Sequence, residues 1–232
     1  MEWRHPAAVT RKDQMAMSDY FFNKNEKLSI KSSGFLPHWN QSGKIQFVTF
    51  RLIDSLPQIK IHELSELKKH FITQHPLPWN NNEEIEFWKL ISPFEAKLLD
   101  EGYGSCMLKK PDLRKIVSDS IRYFDGIKYN LIAYIIMPNH VHVLFHFVEN
   151  NTIESVMHSI KSYTSKLINR ITLHSGSIWM KEYFDRIIRN ERHLQSCINY
   201  ILGNPRNLKS GDFEVYVNPN YIKERQDAAT PL

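Results

Sequence analysis

Apolar positions along the chain follow two periods. The run Ile45-Gln46-Phe47-Val48-Thr49-Phe50 is β-branched and aromatic, begins after Ser42-Gly43 and breaks at Asp54-Ser55-Leu56-Pro57, which predicts a buried strand. After Pro111, the residues Leu113, Ile116, Val117, Ser120, Ile121 and Phe124 recur at helical spacing. Proline in the first turn and Gly126 just past the end bound that helix, whose apolar face is expected to rest on a sheet. Two tandem strands follow, Tyr129 to Met137 and His140 to Phe147, joined through Met137-Pro138-Asn139. A second helix is predicted from about Ile153 to Ile171, with Val156, Met157, Ile160, Tyr163, Leu167 and Ile168 on one face. A third, from about Glu191 to Gly203, is expected to bury Leu194, Cys197, Ile198, Ile201 and Leu202.

This succession predicts an α+β domain with helices on one face of an antiparallel sheet. Residues 1–33 are polar and without periodicity and read as a flexible arm. One folded domain is expected over 34–210, with 211–232 as a tail. Within it, 57–103 carries helical fragments (Ile61, Leu64, Leu67; then Ile85, Trp88, Leu90) interrupted by Pro76, Pro78, Asn80 to Asn82 and Pro93, the pattern of an inserted helical segment.

Composition narrows the class. An apolar fraction of 42% with 12% aromatics fills a core, so wholesale disorder is excluded. Cys106 and Cys197 form no CxxC pair, which argues against a disulfide framework and cysteine-held zinc and fits a reducing, cytoplasmic setting. The longest apolar run, Leu131 to Met137, is far below the roughly 20 residues a membrane span needs, and no secretory leader is expected at the N-terminus. The net charge of +5 says little until it is divided. From His62 to Glu101 eight acids face four lysines; from Asn151 to Ser210 nine Lys or Arg face four acids, which marks the second half as the candidate polyanion-binding surface.

Two local patterns carry chemistry. In Asn139-His140-Val141-His142-Val143-Leu144-Phe145-His146, strand alternation puts His140, His142, Leu144 and His146 on one face. Two imidazoles two residues apart can chelate one cation; the same spacing also fits polar residues on the open face of a half-buried strand. On the last helix, Tyr200 and Asn204 stack four residues apart, with His193 on the same stripe, at the boundary between core and solvent. That stripe suits either a hydroxyl facing a site or an ordinary boundary tyrosine before Asn204-Pro205 ends the helix. Tyr163 falls in the apolar stripe of its helix and is expected to pack. Glu83, Glu84 and Glu86 read as a solvated helix start.

These motifs, taken in order, resemble a known family. Phe47 to Leu52 with Asp54-Ser55-Leu56-Pro57, Met137-Pro138-Asn139-His140-Val141-His142, Gly176-Ser177-Ile178-Trp179, Tyr183 to Arg189, and Tyr200-Ile201-Leu202-Gly203-Asn204-Pro205 are similar to the REP-associated tyrosine transposases of the single-tyrosine HUH endonuclease superfamily. The resemblance implies a ferredoxin-like (RRM-like) core, His140, His142 and Asn204 as ligands of magnesium or manganese, and Tyr200 as nucleophile. It further implies a metal-dependent single-stranded DNA nickase and strand transferase that works through a 5′-phosphotyrosine link on hairpin or palindromic repeats. Such an enzyme would be cytoplasmic and nucleoid-associated, a monomer or a homodimer. Lys161, Lys166, Arg170, Arg186, Arg189, Arg192 and Arg206 are expected to hold phosphates, with Trp179 and Tyr183 stacking on bases. The alternative is a nucleic-acid-binding regulator on the same fold whose cleavage activity has decayed. A hydrolase using an activated water would need a carboxylate near the histidines, and the sequence places none beside them.

Overall fold

The computed structural model describes residues 17–33 and 36–221. Strands β1 (Ser29–Ser33) and β2 (Leu36–Asn40) pair as an antiparallel hairpin. Of the arm expected over 1–33, the first sixteen residues lie outside the described ones, and most of the remainder is built into the fold. Phe21 is buried beside Ile45 and Ile188, the Phe22 N–H donates to the Ile188 carbonyl at 2.8 Å, and the Gln41 side chain bonds the Asn23 backbone in both directions. Isolated aromatic anchors of this kind leave no periodic trace.

The strand at Ile45 is β3 (Ile45–Arg51). It is followed by α1 (Gln58–Gln74), α2 (Asn81–Asp100), α3 (Pro111–Arg122), β4 (Tyr129–Ile136), β5 (His140–Phe147), α4 (Ile153–Thr172), β6 (Phe184–Ile187), α5 (Glu191–Gly203) and β7 (Glu214–Val217). Among the described residues, five of these strands make one sheet in the order β6-β3-β5-β4-β7, with every neighbouring pair antiparallel. The succession β3-α3-β4-β5-α4-β6 with that strand order is the ferredoxin-like arrangement the sequence predicts.

Both faces of the sheet are covered. Val48, Phe50, Val141, Val143 and Phe145 point to one side, where Leu113, Val117 and Ile121 of α3 and Val156, Met157 and Ile160 of α4 bury them. Ile45, Phe47, Ile135 and Leu144 point to the other, under Leu194, Cys197, Ile198 and Ile201 of α5. The expected one-sided layer holds for α3 and α4, while α5 covers the opposite face because β3 and β5 are apolar on both sides there. Two residues depart from their expected burial. Tyr163 is exposed, the stripe of α4 running instead through Thr164, and Leu202 of α5 is exposed as well.

The segment at 57–103 is a helical pair. Leu64 and Phe71 of α1 meet Trp79, Phe87, Trp88 and Ile91, and this cluster rests on Trp39 of β2 and Ile187 of β6. A capping box starts α2: the Asn80 side chain accepts from the N–H groups of Asn82 (2.8 Å) and Glu83 (3.1 Å), while Glu83 accepts from the Asn80 N–H at 2.8 Å. The ends of the excursion touch. Asp54 accepts from the Ser105 N–H at 2.8 Å, and Gly104, at φ +84°, lies so close that a Cβ would collide with the Asp54 carbonyl. At the far edge, β7 pairs with β4, and Tyr134 donates to Glu214 at 2.6 Å and accepts from Arg122 at 2.9 Å. Residues 214–217, expected in the tail, thus complete the sheet.

Candidate active site

Register brings the site together on the α5 side of the sheet. In the β3–β5 ladder Thr49 opposes His142 and Arg51 opposes His140, so these four side chains share one face with Phe47. His142 Nδ1 is 2.7 Å from Thr49 Oγ1, and the Phe47 ring stacks on the imidazole with centroids 5.5 Å apart. The His140 ring is set from outside the sheet. The Asn139 amide nitrogen donates to the carbonyls of Leu99 and Tyr103, at the end of α2, which leaves Asn139 Oδ1 to accept from His140 Nδ1 at 2.7 Å. His140 Nε2 therefore carries the lone pair. It faces His142 Nε2 at 3.1 Å.

Tyr200 comes in from α5. Leu194, Cys197, Ile198 and Ile201 pin that helix to the sheet, which sets Tyr200 at the edge of the buried stripe. Its hydroxyl lies 3.4 Å from His142 Nε2, and its ring stands edge-on to Phe47 and His142. One turn on, Asn204 Oδ1 is buried without a hydrogen-bond partner, while the Asn204 side chain also bears on the Tyr200 hydroxyl.

Burial dominates the electrostatics. It pushes His140 down to about 3 and His142 well below its ordinary value, the latter helped by His140 and Arg186, so both imidazoles are neutral near pH 7. Tyr200 keeps 37% of its surface open, yet burial of the hydroxyl, with Asp100 nearby, pushes it up to about 12; Asn204 and Arg186 act in the opposite sense.

A divalent cation suits this donor set. Two neutral imidazole nitrogens face each other, each held by a bond at its other nitrogen, and a buried amide oxygen lacks a donor. The same geometry without a cation needs a proton between the two Nε2 atoms, and Thr49 can donate or accept to suit either state. Among the described residues no three or more His, Cys, Asp or Glu gather as a ligand cluster.

Above His142 and Tyr200 opens a cavity of about 340 Å³, walled by α2 on one side and by Phe47, Phe184 and Arg186 on the other. Glu95 of α2 lines it. A carboxylate thus shares the cavity with His142 and Tyr200, contrary to the expectation from sequence neighbours, and no local signal announces it because it arrives through the packing of α2. Asn139 and Thr49 also went unread; Thr49 was legible only through the strand register.

Residues 107–204 match the family model described as transposase, IS200 like. The matched segment covers less than half of the chain. It contains both histidines, Tyr200 and Asn204. A solved structure described as that of the REP associates tyrosine transposase bound to a REP hairpin aligns at 16% identity and TM-score 0.40, over 71% of this chain and 68% of that one. No curated protein matches the chain. No helix among the described residues is long and apolar enough to cross a membrane.

The remaining candidates in the matched segment, with Arg206 just beyond it, take different places. Lys166, Arg170, Arg192 and Arg206 are exposed or half-buried. Arg186 lines the cavity and lies over the Phe47 ring at 5.3 Å. Arg189 is tied to Glu84 and Asn81 at the start of α2, so its charge is engaged within the protein. Lys161 donates to the carbonyls of Met180 (2.6 Å) and Lys181 (2.7 Å), and burial pushes it down to about 8. Lys161 and Tyr183 line a second cleft, of about 580 Å³, with Lys31, His38, His158 and Lys181. Trp179 is a core residue: it is 4% exposed, stands edge-on to Phe50 and donates to Thr164 Oγ1 at 2.8 Å, so its faces are not free for bases.

Proposed function

We propose that this chain is a metal-dependent single-stranded DNA endonuclease and strand transferase that uses Tyr200 as nucleophile on hairpin-bearing DNA. The observation that carries the reading is the Tyr200 hydroxyl 3.4 Å from one of two facing, neutral imidazoles, with the orphaned Asn204 oxygen one turn away. His140, His142 and Asn204 would hold magnesium or manganese, which supplies Lewis-acid stabilisation of charge at the phosphoryl oxygens. The Tyr200 oxygen forms a bond to phosphorus as the bond from phosphorus to the 3′ oxygen breaks. The phenol loses its proton and the departing oxygen gains one. One phosphodiester is exchanged for another, so rejoining requires no nucleotide. Asn204 and Arg186 favour the phenolate against the burial that opposes it. Tyr200 and the histidines meet within one chain, so a monomer suffices and a homodimer is compatible. A cytoplasmic, nucleoid-associated setting follows from the substrate.

The test is a denaturing gel after incubation with labelled hairpin-bearing single-stranded DNA and manganese. A covalent adduct is expected from the wild type and from Tyr163→Phe, and none from Tyr200→Phe or His142→Ala. An adduct that survives Tyr200→Phe and vanishes in Tyr163→Phe overturns the assignment. Salt-sensitive binding without any adduct replaces it with the regulator.

A further inference from the structure

The wall of the cavity that faces Tyr200 is one stripe of α2. Trp88, Ser92, Glu95 and Leu99 lie at helical spacing, with Pro93 and Ala96 beside them, while Phe47, Thr49, Phe184 and Arg186 close the opposite side. The mixture is particular. Besides Tyr200, three aromatic rings, Phe47, Trp88 and Phe184, line the cavity, and Trp88 is locked in place by donating to Glu84 at 2.7 Å. Arg186 is at the rim nearest Phe47. Glu95 is 5% exposed, and its Oε1 has no hydrogen-bond partner.

A buried carboxylate oxygen without a donor is costly and calls for a partner that the described residues do not supply. An N–H donor would be welcomed, and a flat π-system would be gripped by the rings around it. Arg51 and Lys68, both buried, act on Glu95 as the nearby positive charges, and Lys68 lies 4.2 Å over Phe184, so the carboxyl group is held on a braced wall and not on a mobile side chain.

Resting on the reading of Tyr200 as nucleophile, we propose that this cavity is a nucleobase pocket. The base next to the phosphate held at Tyr200 enters the cavity against the wall that Trp88 and Phe184 form by packing edge-to-face, their centroids 5.7 Å apart, and Glu95 accepts a hydrogen bond from its amino group, while Arg186 holds the adjoining backbone phosphate. Adenine, cytosine and guanine carry an exocyclic amino group and thymine does not, so the pocket discriminates against thymine. The insertion thereby gains a purpose, because it supplies the reading wall while the sheet and α5 supply the chemistry.

The probes are the four homotetranucleotides of deoxyadenosine, deoxycytidine, deoxyguanosine and thymidine, titrated at low salt against Tyr200→Phe protein with tryptophan fluorescence as readout. The thymidine tetramer is expected to bind about tenfold more weakly than the best of the others. Glu95→Leu should level that difference, whereas Trp88→Leu should weaken all four together because stacking is tolerant of base identity. Ala96→Phe fills the cavity from a half-exposed position and should weaken all four even if Glu95→Leu fails to fold. Equal binding of the four by the unaltered pocket overturns the inference, as does a preference that survives Glu95→Leu. So does an adduct yield that Glu95→Leu lowers equally for every flanking base, because the carboxyl group would then act on the chemistry. Base-dependent binding without any Tyr200 adduct removes the nucleophile reading and leaves the pocket standing. An adduct with base-indifferent binding does the reverse.

Discussion

Glu95 and the two site histidines pull the pH dependence of stability in opposite directions. Burial pushes Glu95 up to about 7, so the folded state holds its proton where the unfolded chain, near 4.5, has released it. Its contribution is therefore fully present below about pH 4.5 and is lost as pH rises through 7. The shift corresponds to about 3 kcal/mol. Urea denaturation of Glu95→Gln should give a stability gain over the wild type that is near zero at pH 4.5 and grows to that size by pH 8; a gain independent of pH would contradict the burial of a charge. His140 and His142 have depressed folded values, so the unfolded state takes up their protons first, and their contribution, present above about 6.5, is lost as pH falls toward 3. Replacing both by Gln should flatten the acid limb of the same curve. The histidine pair and the Tyr200–Asn204 stripe were visible in the sequence because two-residue and four-residue spacings are local facts. Thr49 and Glu95 were not, since one depends on cross-strand register and the other on how a helix some forty residues upstream of the histidines packs over them.

At the level of elements, small devices decide whether the site is held. The Asn80 capping box starts the helix that carries Trp88, Glu95 and the backbone carbonyl of Leu99 to which Asn139 is bonded. Asn80→Ala should cost about 1 kcal/mol in urea denaturation; a change within error would mean the cap is idle. At the other edge, a chain ended at residue 210 lacks β7, leaving the outer backbone of β4 and the Tyr134 hydroxyl without their partners. It should melt several degrees lower than the full chain by circular dichroism. The long, periodic elements were read to within a residue or so: α5 spans Glu191–Gly203 as expected. β7 was missed because four residues at a sheet edge carry too little pattern. Tyr163 was misread as packed because Thr164 takes the buried place, satisfying its hydroxyl by donating to the Ile160 carbonyl and accepting from Trp179.

Over the whole molecule, the proposed cation and the exposed basic residues lead to two separate expectations. If the facing imidazoles and Asn204 hold a divalent cation, manganese should raise the melting temperature and a chelator should return it, with His140→Ala abolishing the response in thermal denaturation. An unchanged midpoint with manganese in excess would argue against the site. Binding of single-stranded DNA should weaken steeply with salt, and removing Arg206 or Lys166 should reduce the slope of log affinity against log salt by about 0.7 each where they contact phosphate. The excursion from Asp54 to Gly104 leaves the sheet and comes back to the same spot. A loop rooted in that way is a cassette: its middle is expected to tolerate changes of length and sequence without moving the β3–β5 ladder, as long as the Leu99 and Tyr103 carbonyls that hold Asn139 are kept. If the cavity reads a base as proposed, such changes would alter what is read while leaving the residues around Tyr200 in place.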